Sequence, residues 1–193
     1  MKFLLIFLIL STLLCVYSEP VLLSLNKPVT GDAYYNSSSE VFPWDNVNDG
    51  RFDDTGSPYD WSFWLTASSP GYVIIDLQDA YVLDRFEIQN THNRIHGDRA
   101  TKNFRISVST DNISYTTIIT STLTVYTGTI PIVTYSAGNV IARYVKFNVD
   151  TYHMNGGGLN ELSVYGSTNV PEPGTLVLFG MFFTLLFGKR FLL

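Results

Sequence analysis

The sequence has little cysteine and little charge. Its single cysteine among 193 residues, Cys15, lies in an apolar N-terminal run, so the rest of the chain can form neither a disulfide nor a thiolate metal site. Charged residues make up 15% of the chain, and 12 Lys and Arg against 17 Asp and Glu give a net charge of −5. Because nucleic-acid binding depends on basic surfaces, this balance predicts no nucleic-acid partner.

Motifs of catalysis are also absent from the sequence. It contains no Gly-x-Ser-x-Gly nucleophile turn, no His-Glu-x-x-His metal motif and no glycine loop that opens a helix to hold phosphate. The run at residues 156–158 is three glycines, but it precedes a predicted strand and therefore indicates a turn. We expect a binding protein and not an enzyme.

An apolar run near the N-terminus predicts a targeting segment. Lys2 precedes apolar residues 3–16, and residues 16–18 offer a plausible cleavage point. A helix of about 14 residues is about 21 Å long, which is short of the roughly 30 Å hydrocarbon core of a bilayer. We therefore predict a secretory signal peptide over residues 1–18, with a lone transmembrane anchor as the alternative.

The C-terminal residues 170–193 form a three-part pattern. Residues 170–174 read Val-Pro-Glu-Pro-Gly, residues 175–188 are apolar, and a basic pair follows at 189–190. The pattern resembles the PEP-CTERM sorting signal that bacterial exosortases recognise on surface and exopolysaccharide-associated proteins. The resemblance implies an exosortase-type processing enzyme as a partner, contact with the membrane through this segment, and a secreted or cell-envelope location. The alternative is a plain C-terminal membrane tail.

The middle of the chain alternates apolar and polar residues with a period of two. Such alternation is typical of half-buried strands, and no segment keeps a helical period. Turn-forming residues separate the alternating segments at 109–112, 136–139 and 155–158. The fold class is therefore all-β, an antiparallel sandwich or barrel. The apolar positions are Val73, Ile75, Leu77, Val82, Phe86, Ile88, Phe104, Ile106, Val108, Val145, Phe147, Val149, Leu162 and Val164.

Six segments occur in an order that resembles a known family. They are residues 46–50, 61–64, 71–77, 104–111, 142–147 and 158–166. Over residues 24–167 the chain resembles a coagulation factor 5/8 type C, or discoidin, domain, and within that family it is most similar to the family 32 carbohydrate-binding modules. The resemblance implies a galactose-binding-like jelly-roll β-sandwich of about eight strands with Trp64 in its core.

The resemblance also implies a function. It favours non-catalytic binding of carbohydrate, such as the exopolysaccharide of the producing cell. The alternative is an adhesion or structural module that contacts protein or lipid, which requires apolar side chains to project from the loops. The candidates for such projecting side chains are Tyr34, Tyr35, Phe42 and Trp44.

Five aspartates crowd sixteen residues and predict a calcium site. They are Asp45, Asp49, Asp53, Asp54 and Asp60. Such a concentration repels itself unless it is solvated or binds a cation, and calcium prefers oxygen ligands. A solvated acidic loop is the alternative. The resemblance implies a structural calcium ion held by the carbonyls of Asn46 and Arg51, the Asp49 side chain, Asp54 or Thr55, the carbonyl of Asn160 and the carboxylate of Glu161.

Residues 90–99 form the most polar loop and are the candidate recognition segment. Sugar hydroxyls need paired donors and acceptors, and an aromatic face covers the apolar side of the ring. Family members often use a His, an Arg and an Asn with an aromatic wall, so the predicted ligand-binding residues are Asn90, His92, Arg99, Tyr152 and His153. Trp61 and Tyr34 are further aromatic candidates. Alternatively, Arg99 braces the loop against Asp98 or Asp76, and Asn90 caps a turn.

Overall fold

The computed structural model describes residues 19–67 and 71–168. The predicted signal peptide, residues 1–18, and the predicted sorting segment, residues 170–193, lie outside the described residues. Within the two described ranges, no helix has the length and apolar character needed to cross a membrane.

The described residues form thirteen strands and two short 3-10 turns. The turns are Trp44–Asn48 and Arg94–His96. The strands are β1 Val21–Leu22, β2 Val29–Gly31, β3 Gly56–Ser57, β4 Asp60–Trp61, β5 Trp64–Leu65, β6 Gly71–Gln89, β7 Arg99–Thr101, β8 Asn103–Ser109, β9 Thr116–Thr122, β10 Ile132–Val149, β11 Tyr152–Met154, β12 Gly158–Leu159 and β13 Glu161–Thr168.

Two long antiparallel strands, β6 and β10, organise the main sheet. The order of its strands is β1-β13-β6-β10-β8-β9, and β2 also pairs with β6. The first part of β6 pairs with β2 and with the end of β10, whereas its second part pairs with β13 and the start of β10. The sheet thus has two halves, and apolar residues of both halves belong to one core cluster. This arrangement confirms the predicted all-β sandwich.

The predicted turn at residues 136–139 is instead a bulge inside β10. Ser136 pairs with Arg85 and Val140 pairs with Leu83, so β10 advances four residues while β6 advances two. Gly138 has a φ of +70°, a conformation that glycine adopts without steric cost. The prediction of a strand-ending turn here is therefore wrong, because the chain resumes the same pairing after the irregularity. Such a bulge bends a strand between two sheet halves.

The core consists of the alternating apolar residues that the sequence predicts. Trp64 is fully buried, and Phe104 stacks on Phe147 with ring centroids 5.1 Å apart. Val82 is the exception among the predicted core positions, because it is only half-buried. Burying each large apolar side chain stabilises the fold by about 1.5–3 kcal/mol, so this core gives a firm support to the loops at its ends.

A smaller apolar cluster lies under the loops. Phe42, Phe63 and Leu65 are buried in it, and Tyr35 and Trp61 pack against it. Tyr34 and Trp44 make an edge-to-face pair with centroids 5.1 Å apart and pack against the main core. The four candidate projecting side chains therefore do not extend into solvent as the adhesion alternative requires, since Phe42 is buried and the others are half-buried.

Candidate functional site

Three loops at one end of the sandwich border an open, shallow cleft of about 540 Å³. The loops span residues 52–55, 90–98 and 123–131. The residues that line the cleft are Asp53, Asp54, His92, Arg94, Ile95, Gly97, Thr127 and Gly128. Acidic, basic and hydroxyl groups thus share one concave surface with an apolar side chain.

Asp54 fixes the shape of the predicted recognition loop. Its carboxylate Oδ2 accepts hydrogen bonds from the backbone N–H groups of His92 and Arg94, both at 3.0 Å. Asn93 and Arg94 have φ values of +58° and +60°, so the backbone here adopts the left-handed conformation that non-glycine residues disfavour. The Asp54 side chain is only 1% exposed. This buried carboxylate therefore holds the loop in a costly conformation.

A buried amide in turn holds Asp54 in place. The Asn160 side-chain oxygen accepts from the backbone N–H of Asp54 at 2.6 Å, and its NH₂ group donates to the carbonyl of Ser62 at 2.8 Å. Gln89 extends the support, because its Oε1 accepts from the backbone N–H of Asp53 at 2.9 Å. The loop at 52–55 is thus tied to the end of β6 and to the start of β13.

Arg94 is a cleft residue that sequence analysis did not single out. Its guanidinium donates to both carboxylate oxygens of Glu40, at 2.6 and 3.3 Å, and lies 4.2 Å from the centroid of the Trp61 ring. Glu40 is 54 residues earlier in the chain, and no sequence pattern indicates the pair. The contact fixes the guanidinium in a neutralised ion pair and covers one face of Trp61, the predicted aromatic candidate.

Only one of the five predicted ligand-binding residues lines this cleft. His92 is half-buried, and its Nδ1 lies 3.7 Å from Asp54 Oδ2. Its backbone is held by the same carboxylate. The imidazole therefore occupies a defined position at the wall of the cleft, where it can exchange a hydrogen bond with a ligand.

Asn90 faces the protein interior instead. The residue is only 4% exposed, its Nδ2 donates to the carbonyl of Thr101 at 2.9 Å, and its Oδ1 accepts from the N–H groups of Thr91 and Thr101. These bonds join the recognition loop to β7. Asn90 also lines a second, smaller cleft beside the first.

Arg99, Tyr152 and His153 lie together on the β7–β11 ladder. His153 pairs with Ala100 and Met154 with Arg99. The Arg99 guanidinium lies 4.2 Å from the Tyr35 ring centroid, and Asp76, one of the two partners in the alternative interpretation of Arg99, binds Arg143. The His153 Nε2 is 3.1 Å from the carbonyl oxygen of Leu123. None of the three predicted residues lines the 540 Å³ cleft.

Glu161 and Asp49 are two predicted calcium ligands whose carboxylates lie near enough for the charge of Asp49 to act on Glu161. Glu161 is 1% exposed, and its carboxylate accepts from the backbone N–H of Gly50 at 3.2 Å and from Ser163 Oγ at 3.2 Å. Burial, together with the charge of Asp49, raises the pKa of Glu161 to about 8. Burial likewise raises the pKa of Asp49. No ion pair among the described residues includes Glu161.

This donor set fits a hard cation. Two carboxylates with raised pKa values lie next to a turn at Gly50 and at the start of β13, where a cation would offset the cost of burying their charge. The described residues contain no group of three or more His, Cys, Asp or Glu side chains suited to a metal. A calcium ion at this place therefore depends on backbone carbonyls for its remaining ligands.

The other predicted calcium ligands have separate side-chain contacts. Arg51 binds Asp60 at 2.8 Å, Asn46 Nδ2 donates to the carbonyl of Phe63 at 2.9 Å, and Thr55 Oγ1 donates to the carbonyl of Phe52 at 3.1 Å. The carboxylate of Asp54 is engaged by the recognition loop. Of the five crowded aspartates, Asp60 therefore binds Arg51, and Asp54 binds the backbone of the recognition loop.

Comparison with known families agrees with this geometry. Residues 34–162 match the family model described as F5/8 type C domain, which is more than half of the chain. The chain therefore belongs to the F5/8 type C domain family. No curated protein sequence matches it.

Solved structures of carbohydrate-binding modules share the fold. Chitosan-binding module 1 of a chitosanase/glucanase from Paenibacillus sp. IK-5 is 22% identical, with a TM-score of 0.57 over 76% of this chain and 99% of the module. The family 32 module of NanJ from C. perfringens, solved in complex with galactose, is 16% identical, with a TM-score of 0.54 over 72% of this chain and 92% of that module.

A longer structure contains the same fold as one part. SpGH29 is 19% identical to this chain, with a TM-score of 0.57 over 77% of this chain. The match covers 28% of SpGH29, so this chain corresponds to about a quarter of that protein. Together the structural matches identify a galactose-binding-like β-sandwich.

Replacement of Asp54 should loosen the recognition loop. We expect Asp54→Ala to lower the free energy of unfolding by about 1–3 kcal/mol, because two buried N–H groups lose their acceptor. Hydrogen exchange at the amides of His92 and Arg94 should accelerate. Asp45→Ala, at an exposed carboxylate of the same acidic segment, is the control and should change neither quantity. Unchanged protection of both amides in Asp54→Ala would show that other contacts hold the loop.

Proposed function

We propose that this chain is a non-catalytic carbohydrate-binding module of a secreted or surface-anchored bacterial protein, with exopolysaccharide as its ligand. The main support is the cleft lined by His92, Asp53 and Arg94, in a fold that chitosan-binding and galactose-bound modules share. Its volume of about 540 Å³ lies within the range of roughly 300–1,000 Å³ typical of ligand pockets.

The chemistry of the cleft suits a pyranose ring. The ring presents hydroxyls around its edge and C–H groups on its faces. His92, Asp53 and Thr127 offer donors and acceptors to the hydroxyls. Ile95, which is 96% exposed, offers an apolar contact to a face of the ring. Since Trp61 is covered by Arg94, this isoleucine takes the place of an aromatic wall.

Adhesion to protein or lipid is the second candidate function. The exposed Ile95 at the rim of the cleft is the observation that favours it, because this side chain presents an apolar group to solvent on a loop. The predicted projecting residues do not support it, since they pack inward.

We also propose a structural calcium ion beside the cleft. Asp49 and Glu161 would supply its carboxylates, and the carbonyls of Asn46, Arg51 and Asn160 would supply further oxygens, with Asp54 or Thr55 as an additional ligand. The hydrogen bond from Gly50 to Glu161 supports this arrangement, because it already joins the acidic loop to β13. The ion would pin that loop and take no part in chemistry.

The location of the protein is a further proposal that rests on the sequence. Residues 1–18 would direct export, and residues 170–193 would be recognised by an exosortase-type enzyme and contact the membrane. The module would then be displayed at the cell surface, where weak single-site binding gains strength from many copies.

A glycan-array screen of the purified protein tests carbohydrate binding. We expect binding to a defined set of sugars, and we expect His92→Ala to weaken it about tenfold or more, because a hydrogen bond at the wall of the cleft is lost. His96→Ala is the matched control, since His96 is exposed in the same loop and does not line the cleft. A folded, calcium-replete protein that binds no sugar but binds lipid vesicles or protein would favour adhesion.

Thermal unfolding with calcium and with a chelator tests the proposed ion. Calcium should raise the Tm, since an ion at a hundredfold excess over its Kd adds about 2.7 kcal/mol to stability. Glu161→Gln should abolish this rise while leaving the chelated protein about as stable at neutral pH, because Glu161, with its pKa raised to about 8, is already mostly uncharged there and Gln has a similar shape. Glu87→Gln, which alters a carboxylate paired with Arg85, should retain the full calcium response. An equal Tm with and without calcium would exclude the ion.

Mass spectrometry of the cell-envelope protein tests the sorting signal. In a bacterium with an exosortase, the mature protein should lack residues 1–18 and part of residues 170–193. Changing Pro171 and Pro173 to alanine should block the C-terminal processing, because the recognised Pro-Glu-Pro signature is lost. An exosortase-deficient strain is the control and should yield the unprocessed C-terminus. An intact C-terminus in both strains would leave a plain membrane tail as the interpretation.

A further inference from the structure

A second, smaller cleft of about 220 Å³ lies beside the first. It is formed where β9 ends and β10 begins, and its wall includes Thr122, Thr124, Tyr126, Ile130, Pro131 and Tyr135. No charged side chain lines it, whereas acidic and basic groups line the larger cleft. The two clefts therefore offer different chemistry to a ligand.

One loop separates the two clefts. Thr127 and Gly128 line the larger cleft, and the neighbouring Tyr126 lines the smaller one. Tyr126 and Thr127 are consecutive residues, so the two clefts share this segment of chain as a wall.

Buried hydrogen bonds fix the two clefts relative to each other. Gln89 Nε2 donates to Asp53 Oδ1 at 2.8 Å and to the carbonyl of Ile130 at 2.7 Å. Asp53 lines the larger cleft and Ile130 lines the smaller one. Because Gln89 is buried at the end of β6, the same side chain sets the position of both walls.

The smaller cleft matches an uncharged sugar ring. Tyr126 is 38% exposed and supplies an aromatic side chain, and Thr124 supplies a hydroxyl, whereas the Thr122 hydroxyl donates to Asn103 Oδ1 at 2.9 Å. The ring of Tyr135 is held edge-on against Phe104, with centroids 5.5 Å apart, so that side of the cleft is rigid. The volume lies below the range of roughly 300–1,000 Å³ for whole ligands, which suits one ring of a longer molecule.

We propose that this smaller cleft is a second sugar subsite, so that the ligand is an oligosaccharide that crosses the 123–131 loop with one unit in each cleft. The inference rests on the proposed carbohydrate function and adds to it the size of the ligand and the neutral character of its second unit. An aromatic side chain with a hydroxyl group and no charge favours a neutral sugar over a uronic acid or a sulfated one.

Titration calorimetry with oligosaccharides of increasing length tests the inference. The probes are N-acetylglucosamine, galactose and fucose, each as the monosaccharide and as oligomers of two to four units. In the series that binds, the affinity should rise about tenfold from monosaccharide to oligomer. Tyr126→Ala should remove this gain and leave the monosaccharide affinity within about twofold, because the exposed ring contacts only the second unit.

Three further results complete the test. Tyr59→Ala, at an exposed tyrosine that lines neither cleft, should keep the gain. A second variant, Thr124→Val, should reduce the gain in affinity, because it removes a hydroxyl from the smaller cleft while the side chain keeps its size. Equal affinity for monosaccharide and oligomer, or an unchanged gain in Tyr126→Ala, would overturn the second subsite while leaving the proposed function intact. Failure of every series to bind would overturn the proposed function and the subsite with it.

Discussion

The cleft end of the molecule depends on a small network of buried polar side chains. Gln89, Asn160 and Asp54 each bond to the backbone of a different loop, and each is buried. A buried group that loses its partner costs about 1–3 kcal/mol, so the loops cannot move apart without breaking several such bonds together. The irregular segments at 52–55, 90–98 and 123–131 therefore behave as parts of the sandwich.

The sandwich in turn positions this network at the end of β6 and the start of β13. β6 ends at Gln89, and its partner β13 begins at Glu161, immediately after Asn160. The backbone N–H of Asn160 donates to the carbonyl of Gln89 at 3.0 Å, so the ends of two central strands meet at the floor of the loops. Because the bulge in β10 lets both sheet halves share one core, this floor is supported from below by buried apolar side chains.

Sequence patterns predicted the sandwich well because strands follow local rules. Alternation at Val73, Ile75 and Leu77 identified the buried face, and Trp64 was correctly assigned to the core. The turn at 136–139 was predicted wrongly, since turn-forming residues also occupy bulges and only the pairing partner tells the two apart. Family resemblance supplied the topology that periodicity alone left open.

The candidate site was predicted less well because neighbours in a loop face different ways. Within one polar segment, His92 lines the cleft, Asn90 faces the interior and Arg99 lies against Tyr35. These directions depend on left-handed backbone at residues 93 and 94, which a carboxylate 38 residues away stabilises. Arg94 was missed for the same reason, since its role depends on Glu40 and Trp61.

The position of Arg94 divides the recognition chemistry between the two clefts. Its guanidinium covers Trp61 and is neutralised by Glu40, so the larger cleft has neither a free tryptophan face nor an unpaired arginine charge. In the larger cleft the apolar contact comes from Ile95, which lacks the flat π-surface that stacks on a sugar ring. Across the loop, the smaller cleft has an exposed aromatic side chain in Tyr126. Hydrogen bonding in one cleft and stacking in the other would be combined only by a ligand long enough to reach both.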